Sequence, residues 1–166
     1  MPRVESGPAL LSPDRQYRYW LVRDWKPGER RIMWIGLNPS TADENQLDPT
    51  LRRIYDYSEL WGYDGFVMTN LFAFRATVPR VMLLHPEPVG PDNDEHILRI
   101  ADEVDKIMCV WGVDGVHRNR SQEVVDLLNE HGHFSKLHAL KLTKNGEPGH
   151  PLYLKKNANA FLYPSR

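Results

Sequence analysis

The chain has 166 residues, of which 41% are hydrophobic and 26% are charged, and its formal net charge at pH 7 is −1. These values predict one globular domain over residues 1–166 that is long enough to bury a sizeable core. No apolar run approaches the ~18 residues that a membrane-spanning helix requires, and no secretory signal is visible. We therefore expect a cytoplasmic protein without a membrane partner.

The charge is unevenly distributed along the chain. Residues 131–166 contain six lysine or arginine residues against Glu147 alone, so this segment carries +5 and the other 130 residues carry −6. Such a segment is suited to contact with a polyanion, and solvated surface lysines explain it equally well. Cys109 is the only cysteine, which excludes an intramolecular disulfide and an iron–sulfur cluster.

The first half of the chain alternates strand and helix signals. Residues 1–15 predict a loose N-terminal arm, and residues 17–25 alternate aromatic, apolar and charged residues as in a half-exposed strand. The apolar run at 32–35 predicts a strand buried on both faces. An Asp-Pro start signal predicts a helix over residues 49–61, capped by Asp48.

The second half continues this alternation. Three further strands are predicted over residues 65–72, 106–112 and 134–142. Two further helices are predicted over residues 92–105 and 119–131, the first with a capping box formed by Asp92 and Glu95. This order predicts a three-layer α/β sandwich with a mostly parallel, four-stranded central sheet.

Polar side chains follow three of the four predicted core strands. Asn38 follows the first strand, Asn70 ends the second, and His150 lies in the loop after the last. Carboxyl ends of parallel strands share one sheet edge, so the two amides and the imidazole could together read a planar heterocycle. Each has a structural alternative: Asn38 can form a plain turn, Asn70 can cap a buried turn, and His150 can be an ordinary loop residue.

Several common site patterns are missing from the sequence. No glycine-rich phosphate loop supports a dinucleotide or nucleoside triphosphate site. No His-x-x-x-His or Cys-x-x-Cys pair supports zinc, and no serine-centred nucleophile elbow is present. We therefore expect neither a metal nor a cofactor.

Four motifs resemble a bacterial family known as domain of unknown function 1643. They are GLNPSTAD, NLFAFRAT, VGPDND and HPLYL, and the resemblance covers residues 17–160. This family implies no activity.

A second resemblance, at the level of motifs, is to the uracil-DNA glycosylases. Residues 36–39 resemble their Gly-x-(Asp/Asn)-Pro loop, Asn70 stands where their base-reading Asn would be, and residues 150–154 resemble their His-Pro-x-x-Leu loop. The resemblance implies their α/β sandwich and a monofunctional DNA glycosylase that flips and excises uracil-like bases. An Asn at position 38 resembles the mismatch-type and single-strand-selective branches.

The same resemblance implies a role for each candidate residue. Asn38 would position the attacking water and His150 would stabilise the departing base anion. The residues expected to bind the base are Gly36, Leu37, Pro39, Ser40, Thr41, Asn70, Phe72 and Phe74. A small residue at Ser40 leaves room at the 5-position, which predicts tolerance of 5-hydroxymethyluracil.

The resemblance also implies DNA as the partner of an expected monomer. Leu154 matches the family's wedge, which fills the gap left by the flipped base. The residues expected to contact DNA are Arg75, Lys144, Pro151, Leu152, Tyr153, Leu154, Lys155 and Lys156. Two alternatives stay open: a hydrolase or transferase acting on a free, modified nucleotide, which the modest total charge favours, and a non-catalytic reader of a modified base.

Overall fold

The computed structural model describes residues 7–28, 30–41, 48–155 and 157–164. The strands are β1 (Ala9–Leu11), β2 (Arg18–Asp24), β3 (Arg31–Gly36), β4 (Gly65–Asn70), β5 (Ile107–Cys109), β6 (Leu137–Ala139) and β7 (Phe161–Leu162). The α-helices are α1 (Pro49–Leu60), α2 (Pro79–Leu84), α3 (Asn93–Glu103) and α4 (Arg120–Glu130). Short 3₁₀ helices span Val113–Asn119, Phe134–Lys136 and Pro151–Tyr153.

The described strands form one mixed sheet of seven strands in the order β1-β2-β4-β3-β5-β6-β7. The four central strands, β4, β3, β5 and β6, are parallel neighbours. Strands β1, β2 and β7 add antiparallel pairs at the two sides. The α/β class is therefore confirmed, while the prediction of a four-stranded, mostly parallel sheet is wrong, because three outer strands extend it.

Alternation along the central strands separates two cores. Ile32 and Trp34 of β3 pack with α1 on one face of the sheet, whereas Met33 and Ile35 pack with α3 and α4 on the other. Side chains that alternate in direction explain how one continuous apolar run fills both faces. The sheet is thus the middle of three layers.

The N-terminal strands differ from their prediction. Within the predicted loose arm, Ala9–Leu11 forms β1 and pairs with β2. Strand β2 is mostly buried rather than half-exposed, since it lies between β1 and β4. Residues 1–6 of the arm lie outside the described residues.

Two helix starts test the capping predictions. At α1, the Asp48 carboxylate accepts a hydrogen bond from the Leu51 N–H at 2.8 Å, so the predicted cap is confirmed. At α3, the predicted capping box is wrong, because Asp92 makes no side-chain cap bond. The acidic first turn of α3 instead serves a tertiary contact, in which Asp94 binds the buried Arg120 guanidinium at 2.6 Å.

Two core strands are shorter than predicted. The third is Ile107–Cys109 and the fourth is Leu137–Ala139, preceded by a 3₁₀ turn over Phe134–Lys136. Of the apolar residues that follow them, Val110, Trp111 and Leu140 are still buried, whereas Leu142 is exposed. Within the described ranges, no helix combines the length and the apolar character needed to cross a membrane.

Candidate active site

A cavity of about 230 Å³ opens at the carboxyl edge of the central strands. It is lined by all three polar side chains that the sequence predicts at strand ends: Asn38 after β3, Asn70 at the end of β4, and His150 in the loop after β6. The other lining residues are Arg18, Gly36, Leu37, Pro39, Ser40, Asp48, Thr50, Leu51, Met68, Ala76, Thr77, Pro79, Val110, Trp111 and Pro151. Parallel pairing therefore brings together side chains that are more than 100 positions apart in the chain.

Gly36 allows the end of β3 to lie close to Asn70 at the end of β4. It pairs in register with Asn70 across the β3–β4 ladder. A Cβ at position 36 would lie 2.9 Å from Asn70 Oδ1 and 2.6 Å from Met68 Cε. Glycine suits this position because a Cβ would displace the Asn70 amide and the end of the Met68 side chain.

The Asn38 side chain is held in one orientation. Its Nδ2 donates to the main-chain carbonyls of Pro39 at 3.1 Å and Ala76 at 2.9 Å. Since both partners are acceptors, the NH₂ group must face them and Oδ1 must face away. Asn38 therefore offers an acceptor oxygen, which suits a side chain that orients a water molecule.

The Asn70 side chain makes no hydrogen bond to the described residues. The residue is 3% exposed, and among the described residues only its main-chain groups have hydrogen-bond partners. Buried amides are normally paired, so an unpaired one at a cavity wall is unusual. Within the part of the chain that the structure describes, the Asn70 side chain bonds no turn atom, which argues against the alternative that it caps a buried turn.

The turn after β4 is held by a different asparagine. Asn93 Nδ2 donates to the carbonyls of Asn70 and Leu71, both at 3.0 Å. Arg120 Nε also donates to Leu71 O, at 2.9 Å. Helices α3 and α4 thus supply side-chain donors to the carbonyls of this turn.

His150 has a defined tautomer. Its Nδ1 accepts a hydrogen bond from the Leu152 N–H at 3.2 Å, so a neutral ring carries its proton on Nε2. Burial lowers the pKa of His150, and the nearby Asp48 carboxylate offsets part of that effect. The ring is therefore a neutral imidazole with an Nε2 donor at neutral pH.

The loop that carries His150 is tied to the end of β5. The Gly112 N–H donates to Pro148 O at 2.8 Å. The buried Glu147 carboxylate accepts from Trp111 Nε1 at 2.6 Å and from Ser121 Oγ at 2.9 Å. These bonds fix the loop against both β5 and α4, so His150 has a rigid support.

Three charged or aromatic lining residues were not predicted as site residues. Arg18 is a buried cation at the start of β2, Trp111 lies two residues beyond β5, and Asp48 caps α1. A signal existed for two of them. Trp111 ends a predicted core strand, like Asn38 and Asn70, and Arg18 interrupts a run of aromatic residues.

Several predicted base-binding residues lie outside the cavity lining. Phe72 is buried in the core against the His117 ring, and Phe74 stacks on His85 with ring centres 3.9 Å apart. Thr41 does not line the cavity, and its hydroxyl lies 2.5 Å from that of Thr77, which does. The aromatic wall of the cavity is Trp111 instead.

The residues predicted to contact DNA have different surroundings in the structure. Arg75 donates to the carbonyls of Arg15 and Thr41, which gives it a loop-holding role. Pro151 lines the cavity, and Leu154 is partly buried against the α1-side core.

Of the remaining predicted DNA contacts, Lys144 and Lys155 are exposed and Leu152 is half-buried. Lys156 and the side chain of Tyr153 lie outside the described residues. Within residues 7–28, 30–41, 48–155 and 157–164, no group of three histidine, cysteine or acidic side chains could hold a metal.

Comparison with known proteins gives a family without an activity. The family model described as "Protein of unknown function (DUF1643)" matches residues 18–152. No curated protein and no solved structure matches the chain.

Proposed function

The chain belongs to the protein family of unknown function DUF1643, and we propose that it is a monofunctional DNA glycosylase that excises flipped, uracil-like bases by hydrolysis. One observation carries the proposal: Asn38, Asn70 and His150 line a single cavity in the chain order of the glycosylase motifs. The proposal includes a glycosylase-like fold, which the parallel central strands support.

Base recognition would fall to Asn70. Its amide, which makes no hydrogen bond to the described residues, offers one acceptor and two donors. Uracil presents a carbonyl next to an N–H on one edge, so a single amide can satisfy both positions. Trp111 supplies a flat apolar wall beside it. A base must leave the duplex to enter such a cavity, which makes flipping part of the proposal.

Cleavage would use His150 and Asn38. As the bond from C1′ to the base breaks, positive charge develops on the sugar and negative charge on the base. The His150 Nε2–H would donate to the base carbonyl and stabilise that negative charge. The outward Oδ1 of Asn38 would accept a hydrogen bond from the attacking water.

Substrate range would depend on Ser40. This small side chain lines the cavity next to the buried Pro39. A substituent at the 5-position of the base would meet a hydroxyl rather than a large ring. This supports acceptance of 5-hydroxymethyluracil as well as uracil.

A second function is favoured by Arg18. A buried guanidinium in the cavity wall suits an anionic substrate group, such as the phosphate of a free nucleotide. The alternative is therefore a hydrolase or transferase acting on a modified nucleotide. A reader that binds the base without cleaving it would use the same contacts.

The test is base release from defined DNA. Labelled duplexes and single strands with one uracil, 5-hydroxymethyluracil or thymine, opposite A or G, are incubated with the protein in a chelator and then treated with alkali. Alkali-sensitive strand breaks that disappear in His150→Ala and Asn38→Ala support the glycosylase. His131→Ala, an exposed histidine at the end of α4, is the matched control and should keep full activity.

The alternatives give different results. Salt-sensitive binding to modified duplexes without base release would identify a reader. Absence of both, with turnover of a free nucleotide, would identify the nucleotide enzyme. No release from any DNA at high protein excess refutes the glycosylase.

A further inference from the structure

Asp48 supplies the cavity with a negative charge. Among the described lining residues it is the one carboxylate, and it comes from α1 rather than from any of the motif loops. From the sequence, its position before Pro49 is sufficiently explained by helix capping. The cavity gives it a second environment.

The cap uses one oxygen of this carboxylate. Oδ1 accepts from the Leu51 N–H at 2.8 Å. Among the described residues, no other hydrogen bond to the Asp48 side chain is present, so Oδ2 accepts from none of the described donors. The first turn of a helix stabilises a negative charge at this position, and the cap holds the side chain in one place.

Hydrolysis needs a proton acceptor that the motif residues do not supply. Asn38 is an amide and can orient water, but it cannot take a proton at neutral pH. His150 has its acceptor nitrogen occupied by the Leu152 N–H. A carboxylate is the remaining group of suitable chemistry among the described cavity residues.

We propose that Asp48 is the catalytic base of this site, and this rests on the glycosylase function proposed above. The attacking water, held by Asn38, forms a bond from its oxygen to C1′ as the bond from C1′ to the base nitrogen breaks. The electron pair of the broken bond leaves with the base as an anion. The water proton passes to the Asp48 carboxylate and then to solvent, and the base anion takes a proton from solvent, so the sum is one water consumed.

Capping and catalysis are separable because asparagine caps a helix as well as aspartate does. Asp48→Asn keeps an acceptor for the Leu51 N–H and removes the base, whereas Asp48→Ala removes both. Glu59→Gln neutralises an exposed acid on the same helix outside the cavity lining and serves as the matched control. Stability is followed by thermal unfolding and base release by single-turnover kinetics.

We expect Asp48→Asn to have a large effect on base release and little effect on thermal stability. Asp48→Asn should unfold only slightly below the wild-type temperature, because it keeps the cap but loses a charge that the helix dipole favours, and it should release base about 10²- to 10⁴-fold more slowly. Glu59→Gln should match wild type in both measurements. The charged and titratable side chains that line the cavity with Asp48, in the described part, are Arg18 and His150.

A second readout does not need turnover. The Asp48 charge raises the pKa of His150, so NMR titration should find a lower His150 pKa in Asp48→Asn than in wild type. Wild-type base release together with full activity of Asp48→Asn overturns the catalytic role alone. A wild-type protein that releases no base overturns the glycosylase function, and the role of Asp48 with it.

Discussion

Replacing Asn70 and replacing Asn93 should have opposite consequences, although both are buried asparagines at the same turn. The Asn70 amide makes no hydrogen bond to described residues, whereas Asn93 Nδ2 donates to Asn70 O and Leu71 O. We predict that Asn70→Ala loses activity and keeps its stability. Asn93→Ala should lose stability.

The magnitudes follow from the hydrogen bonds involved. Two hydrogen bonds from Asn70 to the base are worth together about 2 kcal/mol, or roughly a 30-fold fall in kcat/KM. The free energy of unfolding of Asn70→Ala should change by less than about 1 kcal/mol, since no protein hydrogen bond is lost. In Asn93→Ala, Leu71 O keeps its bond to Arg120 Nε at 2.9 Å, but Asn70 O loses the Asn93 donor, at a cost of about 1–3 kcal/mol.

Urea unfolding and base-release kinetics on the two variants measure these effects. The urea-unfolding measurement is informative even before a substrate is identified. If Asn70→Ala is destabilised as much as Asn93→Ala, the Asn70 amide has a structural role and the base-reading argument is refuted. Normal kcat/KM in a folded Asn70→Ala protein would refute it equally.

Three further predictions concern the cavity wall. Ser40→Tyr should lower kcat/KM for 5-hydroxymethyluracil by at least about tenfold relative to uracil, because the ring fills the space at the 5-position; equal losses on both bases would contradict this. Gly36→Ala should fold, since the atoms a Cβ would meet are the mobile ends of Met68 and Asn70, and it should raise KM by displacing the Asn70 amide; unchanged kinetics would count against that contact. Burial lowers the pKa of His150 in the folded protein below its ordinary value of 6.5. As the pH falls through 6.5, the unfolded chain therefore binds more protons than the folded protein, and the free energy of unfolding decreases. His150→Gln should therefore lose less stability than wild type between about pH 7.5 and pH 5.5 in urea unfolding, and an identical loss would contradict the lowered pKa.

The sequence alone predicted the core strands and the edge where the site lies. These predictions used local signals, since a buried strand must be apolar and must end in residues that turn the chain. The signals were the apolar runs of β3 and β4 and the polar residues Asn38, Asn70 and His150 after the core strands. The parallel arrangement then follows from the alternation of strands and helices. For this reason, three positions far apart in the sequence could be expected at one sheet edge, and all three line the cavity.

The rest was decided by tertiary contacts that leave no local signal. Phe72 and Trp111 both follow core strands and are both buried in the same core, yet only Trp111 also lines the cavity. Asp48 and Asp92 both precede a helix, yet only Asp48 caps it, because at α3 the neighbouring Asn93 and Asp94 bind the turn after β4 and the buried Arg120. Which polar group is used by the fold, and which is left for a ligand, depends on hydrogen-bond partners supplied by distant segments. Pattern along the chain therefore predicted where the site is, and packing between segments decided which side chains form it.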